Sequence, residues 1–198
     1  MTGYVLATAN PDKAREIGEI LGGSIHLLPR PADVPDVEET GATLEDNARL
    51  KAVALVQATG AAAIADDTGL EVDALGGAPG VYSARFAGDA ASYADNVAKL
   101  TEALSEVRGS EARRARFRTV AVAVWPGGEE VVAEGTVEGW IAERPRGANG
   151  FGYDPLFVAD EAGGATFAEL DAADKHAVSH RGRAFRALGA ALSSRPPD

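Results

Sequence analysis

The sequence Ala65-Asp66-Asp67-Thr68-Gly69-Leu70 joins an apolar run to two adjacent carboxylates. We expect that run, over residues 61–65, to form a buried strand that ends at the acidic pair. The chain is then expected to turn at Thr68-Gly69 and to continue in a short extended run over residues 70–72. Two acids at the end of a buried strand are costly to desolvate unless a cation or strong donors receive them. The pair therefore indicates either a Mg²⁺ site or an ordinary polar turn.

Composition narrows the kinds of ligand that the chain can bind. Its 198 residues, 45% of them hydrophobic, suffice for one core or for one domain with two lobes. With no cysteine and only 3 histidines, thiolate chemistry is excluded and a His-rich zinc site is disfavoured, so any metal is expected to be Mg²⁺ or Mn²⁺ held by carboxylates. The net charge of -11 opposes nucleic-acid binding. A small phosphorylated ligand in a local positive pocket remains compatible with it.

The chain carries no sequence pattern typical of secretion or of a membrane span. Its first residues lack the basic and apolar segments of a signal peptide, and no apolar run approaches the roughly 20 residues that a bilayer-spanning helix needs. We therefore expect a cytoplasmic protein that does not bind membranes. We also expect a single domain over residues 1–198, with a loose tail over residues 193–198.

A strand–loop–helix pattern at the start of the chain is similar to a phosphate cradle. Residues 4–8 suit a buried strand, and Asn10 suits the N-cap of a helix over residues 11–21. Free N–H groups at a helix N-terminus attract anions, Thr8 adds a hydroxyl, and Lys13 adds a full positive charge. The alternative is an ordinary capped helix with a solvated lysine.

An acidic loop ends at Glu38 and Glu39, directly before a helix that we expect over residues 43–59. One of these glutamates could complete a carboxylate metal site, although a charged loop is more often simply solvated. Asn47 and Lys51 lie four residues apart and share one helix face. Lys51 is therefore either a second phosphate ligand or a surface lysine.

The middle of the chain predicts a mixed sheet covered by helices. A glycine-rich stretch over residues 75–85 is expected to be a mobile lid or an irregular crossing, and a helix is expected over residues 92–104. Two strands, residues 116–125 and 130–141, flank a Pro-Gly-Gly turn and predict an antiparallel hairpin. Early strands, a late hairpin and helices between them favour the α/β class.

Two further stretches are rich in groups suited to ligand recognition. Within residues 146–155, either Phe151 or Tyr153 could stack on a base while Asp154 orders the pocket, although plain turn structure is the alternative. Lys175, His180 and Arg181 are expected to cluster around Ser179, the predicted N-cap of a helix that runs to about Leu192. Such a cluster suits an anionic or oxo-bearing ligand.

Together these residues resemble the inosine triphosphate pyrophosphatase family over nearly the whole chain, because four blocks occur in the family's order. The blocks are Thr8 to Lys13; Glu38 to Gly41 with Glu45 to Ala48 and Lys51; Ala65 to Leu70 with the loop from Gly76 to Arg85; and Gly150 to Pro155 with Lys175 and Ser179 to Gly182. Two positions depart from the usual family pattern: Thr68 replaces a common Ser, and Ala9 replaces a common Gly.

The resemblance implies an α/β fold with an elongated mixed β-sheet flanked by helices, in two lobes with a central active-site cleft. It also implies a homodimer. The implied reaction is Mg²⁺-dependent hydrolysis of ITP, dITP or XTP to the monophosphate and pyrophosphate, which cleanses the nucleotide pool. The alternatives are hydrolysis of other modified nucleoside triphosphates and a non-enzymatic module that binds nucleotides.

The resemblance further implies roles for individual residues. Asp67 would bind Mg²⁺ and accept a proton from the attacking water, and whether Glu38, Glu39 or Asp66 assists it at the metal is left open. Donors such as Arg181 and His180 would pair with the oxygen at position 6 of hypoxanthine or xanthine, so that adenine would leave them unsatisfied. The residues implied to bind substrate are Thr8, Ala9, Asn10, Pro11, Asp12, Lys13, Lys51, Thr68, Phe151, Gly152, Tyr153, Asp154, Lys175, His180 and Arg181.

Overall fold

The structure is a computed structural model that describes residues 3–195. In chain order its main elements are β1 (Tyr4–Leu6), α1 (Pro11–Leu21), β2 (Leu27–Leu28), α2 (Leu44–Thr59), β3 (Ala63–Val72), β4 (Pro79–Gly80), α3 (Tyr93–Ala103), β5 (Arg114–Val124), β6 (Glu130–Ile141), β7 (Phe157–Ala159), α4 (Ala172–Val178) and α5 (His180–Ser193).

The strands form one mixed sheet in the order β2-β1-β3-β5-β6-β7, with β4 paired to β3. Strand β1 pairs in parallel with β2 and β3, whereas β4 and β7 are antiparallel to their partners. The predicted α/β class with a mixed sheet and helices is confirmed. None of the helices within residues 3–195 combines the length and the apolarity that crossing a membrane requires.

The chain divides into two compact units, each with its own core. Unit 1 comprises the described parts of Met1–Asp67, Thr119–Gly135 and Arg181–Asp198, and unit 2 comprises Thr68–Arg118 and Thr136–His180. In unit 1, Ile17 of α1 and Phe185 of α5 pack with Ile64 of β3. In unit 2 the aromatic rings of Phe117 and Phe157 meet edge to face at 4.7 Å. That the whole chain is one domain stays a prediction.

Local capping signals located helices α1 and α2. Asn10 caps α1 by accepting the backbone N–H groups of Asp12 and Lys13, and α1 ends at Gly22 in the left-handed conformation. Thr43 caps α2 through the N–H of Asp46. Side-chain caps of this kind need only nearby residues, which is why the sequence predicted these bounds closely.

The expected turn at Thr68-Gly69 is wrong, because β3 continues without interruption to Val72. Beyond the acidic pair, Leu70 pairs with Gly80 and Glu71 pairs with Pro79. The glycine-rich stretch thus supplies strand β4 and is not wholly an irregular crossing. Pairing with a later segment extends the strand where local turn preference predicted its end.

Other expectations were wrong at element boundaries. Strand β2 is only two residues long, Leu27–Leu28, and β7 and α4 were not predicted. The tail expected over residues 193–198 overlaps the last residue of α5, Ser193, and just beyond the helix Arg195 N donates to Leu192 O at 3.3 Å. The remainder of that tail, residues 196–198, lies outside the described residues.

Candidate functional site

The two adjacent carboxylates of β3 contact different cations within unit 1. The Oδ2 atom of Asp66 lies 3.2 Å from Lys13 Nζ, whereas Asp67 Oδ1 lies 3.3 Å from Lys51 Nζ. Successive side chains of a strand point to opposite faces of a sheet, so neighbouring acids naturally meet different partners. We call Lys13, Glu39, Lys51, Asp66 and Asp67 the acid–lysine cluster.

Asp66 is a buried carboxylate that positive charge keeps ionised. Burial by itself raises the pKa of Asp66, but the charges of Lys13 and Arg181 outweigh burial and lower this pKa to about 2. The guanidinium Nε of Arg181 lies 3.9 Å from Asp66 Oδ2. Asp66 therefore serves as a fixed negative charge between two cations.

Asp67 differs from its neighbour because the net shift of its pKa is upward. Burial raises the pKa of Asp67, the charge of Lys51 opposes that shift, and the nearby carboxylate of Glu39 adds to it. Its two oxygens have separate partners: Lys51 approaches Oδ1, and Asn47 Nδ2 donates to Oδ2 at 3.2 Å. A carboxylate with a raised pKa is a better proton acceptor near neutral pH than an ordinary one.

Lys51 is neither exposed nor solvated, because two carboxylates converge on its ammonium group. Its Nζ atom lies 2.7 Å from Glu39 Oε1 and 3.3 Å from Asp67 Oδ1. Burial lowers the pKa of Lys51, but the nearby carboxylates outweigh burial and the net shift is upward. The alternative of a surface lysine is thereby excluded.

The oxygen donors of Glu39 and Asp67 fit a hard divalent cation. A positive group already lies within reach of both carboxylates, and Mg²⁺ commonly binds through one or two carboxylates while retaining water and substrate phosphates. Within residues 3–195, no three or more acidic, histidine or cysteine side chains come together as a metal cluster. Glu38 is exposed, so the structure brings Glu39 and not Glu38 to Asp67.

At the start of α1, three backbone N–H groups already donate to side-chain oxygens. Thr8 Oγ1 accepts from Asn10 N, and Asn10 Oδ1 accepts from the N–H groups of Asp12 and Lys13. The predicted N-cap at Asn10 is confirmed, and its side chain already pairs with the amides of Asp12 and Lys13. Among the described residues only glycines have positive φ, so Ala9 adopts an ordinary backbone conformation.

Arg181 is buried within unit 1 and belongs with the acid–lysine cluster. Its Nη1 atom lies 2.6 Å from Glu16 Oε2, and its Nε atom lies near Asp66. That Arg181 groups with Lys175 around Ser179 stays a prediction. Glu16 was missed at the sequence level, although an acid on the buried face of α1 beside Ile17 is an available signal.

A second group of candidate residues lies in unit 2 and is organised by Asp154. Its Oδ2 atom accepts from Lys175 Nζ at 2.6 Å and from Phe151 N at 2.8 Å. Gly150 has a φ of +70°, and a Cβ there would lie 2.0 Å from Asp154 Oδ2, so only glycine fits this position. We call Gly150, Phe151, Asp154 and Lys175 the Asp154 cluster.

The aromatic candidates of unit 2 have different environments. Phe151 is partly exposed, with Lys175 Nζ 5.1 Å from its ring centroid. Tyr153 is buried and donates its hydroxyl to Ser83 O at 2.9 Å. The ring of His180 is buried and stacks on Phe117 with a centroid distance of 4.4 Å. Of the two rings expected to stack on a base, that of Phe151 is partly exposed and that of Tyr153 is buried.

The remaining candidates are distributed over both units. Pro11 forms the first position of α1, and Asp12 accepts from Arg15 Nη2 at 2.8 Å. Thr68 continues β3 as a partly exposed residue, and Gly152 is likewise partly exposed. None of these four residues belongs to the acid–lysine cluster or to the Asp154 cluster.

The open mixed sheet and its helices define an α/β protein, in which two buried carboxylates pair with lysines in the acid–lysine cluster. The chain belongs to the Ham1 family, whose sequence model matches residues 4–191. The resemblance inferred from four sequence blocks is thereby confirmed.

Relatives and solved structures agree with this membership. A Thermus thermophilus protein named dITP/XTP pyrophosphatase is 50% identical over 195 residues, which cover 98% of this chain and 93% of the relative. A Streptococcus agalactiae protein of the same name is 49% identical over 187 residues, or 93% of this chain, and the match spans only 57% of that relative's length.

Two solved structures resemble this chain closely. A HAM1 protein from Coxiella burnetii has a TM-score of 0.86 at 40% identity, covering 98% of this chain and all 100% of that one. A structure from Mycobacterium abscessus, described as nucleoside-triphosphatase / dITP/XTP pyrophosphatase, has a TM-score of 0.74 at 47% identity, covering 94% of this chain and 97% of that one.

Proposed function

We propose that this chain hydrolyses the non-standard purine nucleoside triphosphates ITP, dITP and XTP to the nucleoside monophosphate and pyrophosphate, with Mg²⁺ as its cofactor and Mn²⁺ as a substitute. The observation that carries the proposal is the convergence of Glu39 and Asp67 on Lys51 Nζ, at 2.7 and 3.3 Å. The names of the relatives, dITP/XTP pyrophosphatase, support the choice of substrate.

The triphosphate is bound by the lysines of the acid–lysine cluster. Lys13 and Lys51 each already contact a buried carboxylate, so both ammonium groups are held in place before substrate arrives. A triphosphate carries about four negative charges, which need this positive charge as they enter a partly buried site. Thr8 and Asn10, in the loop before α1, supply polar contacts to the same phosphates.

Asp67 is the proton acceptor. The oxygen of a water molecule forms a bond to phosphorus, the anhydride bond to the leaving pyrophosphate breaks, and the carboxylate of Asp67 takes the water's proton. The upward shift of the Asp67 pKa increases its basicity for this step. Lys51, 3.3 Å from Asp67 Oδ1, favours the carboxylate form that the reaction requires.

Glu39 and Asp67 would hold the divalent cation, because their oxygens are hard donors that face one positive group already. When bound, such a cation would neutralise the charge that develops on the leaving pyrophosphate. Glu38 is exposed, and we assign it no ligand role.

The base is recognised by residues of unit 2. Phe151 presents a partly exposed ring for stacking, and Asp154 fixes the loop by accepting from Phe151 N. Lys175 and His180 are donors suited to the oxygen at position 6 of hypoxanthine or xanthine, whereas the amino group of adenine would leave such donors unsatisfied. Arg181, which Glu16 holds beside Asp66, contacts the substrate from the acid–lysine cluster.

Pyrophosphate release tests the proposal. Rates are measured with ITP, dITP, XTP, GTP and ATP, each with Mg²⁺, with Mn²⁺ and with a chelator. Rapid release from the first three substrates only, lost with the chelator, is the expected result. Equal rates on ATP would contradict the specificity, and ITP binding without turnover would indicate a non-enzymatic module.

The chain is further proposed to act as a homodimer in the cytoplasm. The family resemblance supports the dimer, and the nucleotide pool on which the activity would act supports the compartment. Light scattering on the purified chain tests the dimer, and a mass of one chain of 20.4 kDa would contradict it.

A further inference from the structure

Two buried asparagines occupy the same position in two different helices. Asn47 is the fourth residue of α2, after its N-cap Thr43, and Asn96 is the fourth residue of α3, after its N-cap Ser92. Both side chains are almost fully buried, with exposed fractions of 0% and 2%. In each case Oδ1 accepts an N–H from the preceding loop: Asn47 from Gly41 N at 2.8 Å, and Asn96 from Ala87 N at 2.7 Å.

The two asparagines differ in the partner of their amide donor. Asn96 Nδ2 donates to the backbone carbonyl of Ala84 at 3.0 Å, so both of its contacts serve only to attach a loop to a helix. Asn47 Nδ2 instead donates to Oδ2 of Asp67 at 3.2 Å. One asparagine thus joins two backbone segments, and the other joins a backbone segment to the proposed proton acceptor.

Asn47 and Lys51 together contact both carboxylate oxygens of Asp67. Lys51 Nζ approaches Oδ1 and Asn47 Nδ2 donates to Oδ2, so rotation of the carboxylate would break one contact or the other. Both side chains come from one face of α2, one helical turn apart, so the same helix sets the positions of both. A proton acceptor must keep its orientation toward the reacting water to be effective.

The same asparagine also holds the segment that carries Glu39. Gly41 lies two residues after Glu39, and a Cβ at Gly41 would lie 2.6 Å from Asn47 Oδ1. The close approach of backbone and amide therefore requires glycine. Through one side chain, the position of the Glu39 segment and the orientation of Asp67 are coupled.

We propose that Asn47 is a positioning residue for the reaction: it orients the carboxylate of Asp67 and attaches the Glu39-bearing segment to the same helix. The inference rests on the proposed function, in which Asp67 accepts the proton. Asn47 acts on the chemical step through Asp67 and does not contact substrate. Its removal therefore lowers kcat much more than it raises KM.

The test compares Asn47→Asp and Asn47→Ala with the matched controls Asn96→Asp and Asn96→Ala. We expect kcat for ITP to fall by about tenfold or more in both Asn47 variants, with KM within about twofold of wild type. Both Asn96 variants should keep kcat within about twofold while losing thermal stability, since they remove comparable buried hydrogen bonds. If an alanine variant does not fold, the two aspartate variants decide.

Amide hydrogen exchange supplies a readout independent of activity. The amide of Gly41 should exchange faster in Asn47→Ala but stay protected in Asn47→Asp, which keeps an acceptor oxygen and loses the donor. A retained kcat in Asn47→Asp, or equal losses of kcat in the Asn47 and Asn96 pairs, would overturn the inference. Failure of the wild-type chain to release pyrophosphate from ITP would overturn the proposed function instead, so the two failures are distinguishable.

Discussion

The ammonium group of Lys51 lies 3.3 Å from Oδ1 of Asp67, inside a cluster where burial alone would favour the neutral carboxylic acid. This contact affects the pKa of Asp67, the orientation of its carboxylate and therefore its reactivity. The lysine opposes the upward pKa shift that burial imposes, and it occupies the side of the carboxylate away from the Asn47 contact. Variants of Asp67 and Lys51 test what this arrangement contributes, and variants of Asp66 and Gly150 test the neighbouring carboxylate and the Asp154 cluster.

Substituting Asp67→Asn is expected to lower kcat for ITP by about a thousandfold, because the amide cannot accept the proton of the attacking water. Its circular dichroism spectrum should match wild type. Asp89→Asn, at an exposed position outside both clusters, serves as the control and should leave kcat unchanged. Wild-type turnover in the Asp67 variant would remove this residue from the mechanism.

Substituting Lys51→Met should raise the pKa of Asp67 further, since Lys51 is the largest of the influences that oppose burial there. Activity needs the carboxylate, so the acid limb of kcat/KM against pH should move to higher pH. KM for the triphosphate should also rise, because a phosphate-binding charge is lost. Lys99→Met, which removes an exposed lysine, is the control. An unmoved acid limb would contradict this electrostatic role.

Substituting Asp66→Asn should destabilise the fold in a pH-dependent way. The folded pKa of Asp66 is about 2, below its ordinary value of 3.8, so the carboxylate stabilises the fold fully above 3.8 and loses this effect as pH falls toward 2. The shift corresponds to about 2 kcal/mol of unfolding free energy at neutral pH. Urea unfolding of wild type and variant at several pH values measures it. A difference that did not shrink as pH fell toward 2 would argue against this linkage.

Substituting Gly150→Ala should disturb the Asp154 cluster, because its Cβ would lie 2.0 Å from Asp154 Oδ2. Gly163 is a matched control, since it has a similar φ of +61° with no atom within 4 Å of its Cβ. Both alanines incur about 1 kcal/mol of backbone strain. Only Gly150→Ala should lose more than that in urea unfolding and also raise KM for ITP. Equal losses in both variants would show that the steric contact is unimportant.

Much of the helical structure could be predicted because its signals are local. Asn10, Thr43 and Ser92 each cap a helix through residues at most three positions further along the chain, so the capping signal is local. Helix α4 carries a similar signal at Asp171, which caps it through the N–H of Asp174, but the helix is only 7 residues long. So short a segment shows too little periodicity to be recognised.

The candidate site was predicted less completely than the helices. Asp67, Lys51 and Lys13 were candidates from local patterns and received specific roles from a family resemblance, whereas Glu16 and Asn47 were given no site role. Glu16 is 165 residues away from its partner Arg181 along the chain, and Asn47 is 20 residues away from Asp67. No local pattern specifies such pairs, because only folding brings them together.

The sequence by itself determined that two adjacent acids follow a buried apolar run, that capped helices precede and follow them, and that their charges need cations. Only the tertiary structure decided that β3 continues past Thr68, and that Asp66 meets Lys13 while Asp67 meets Lys51. The physical reason is that composition and capping act through neighbouring residues. Strand pairing and ion pairing depend on segments that are distant in the chain and meet only in the folded protein.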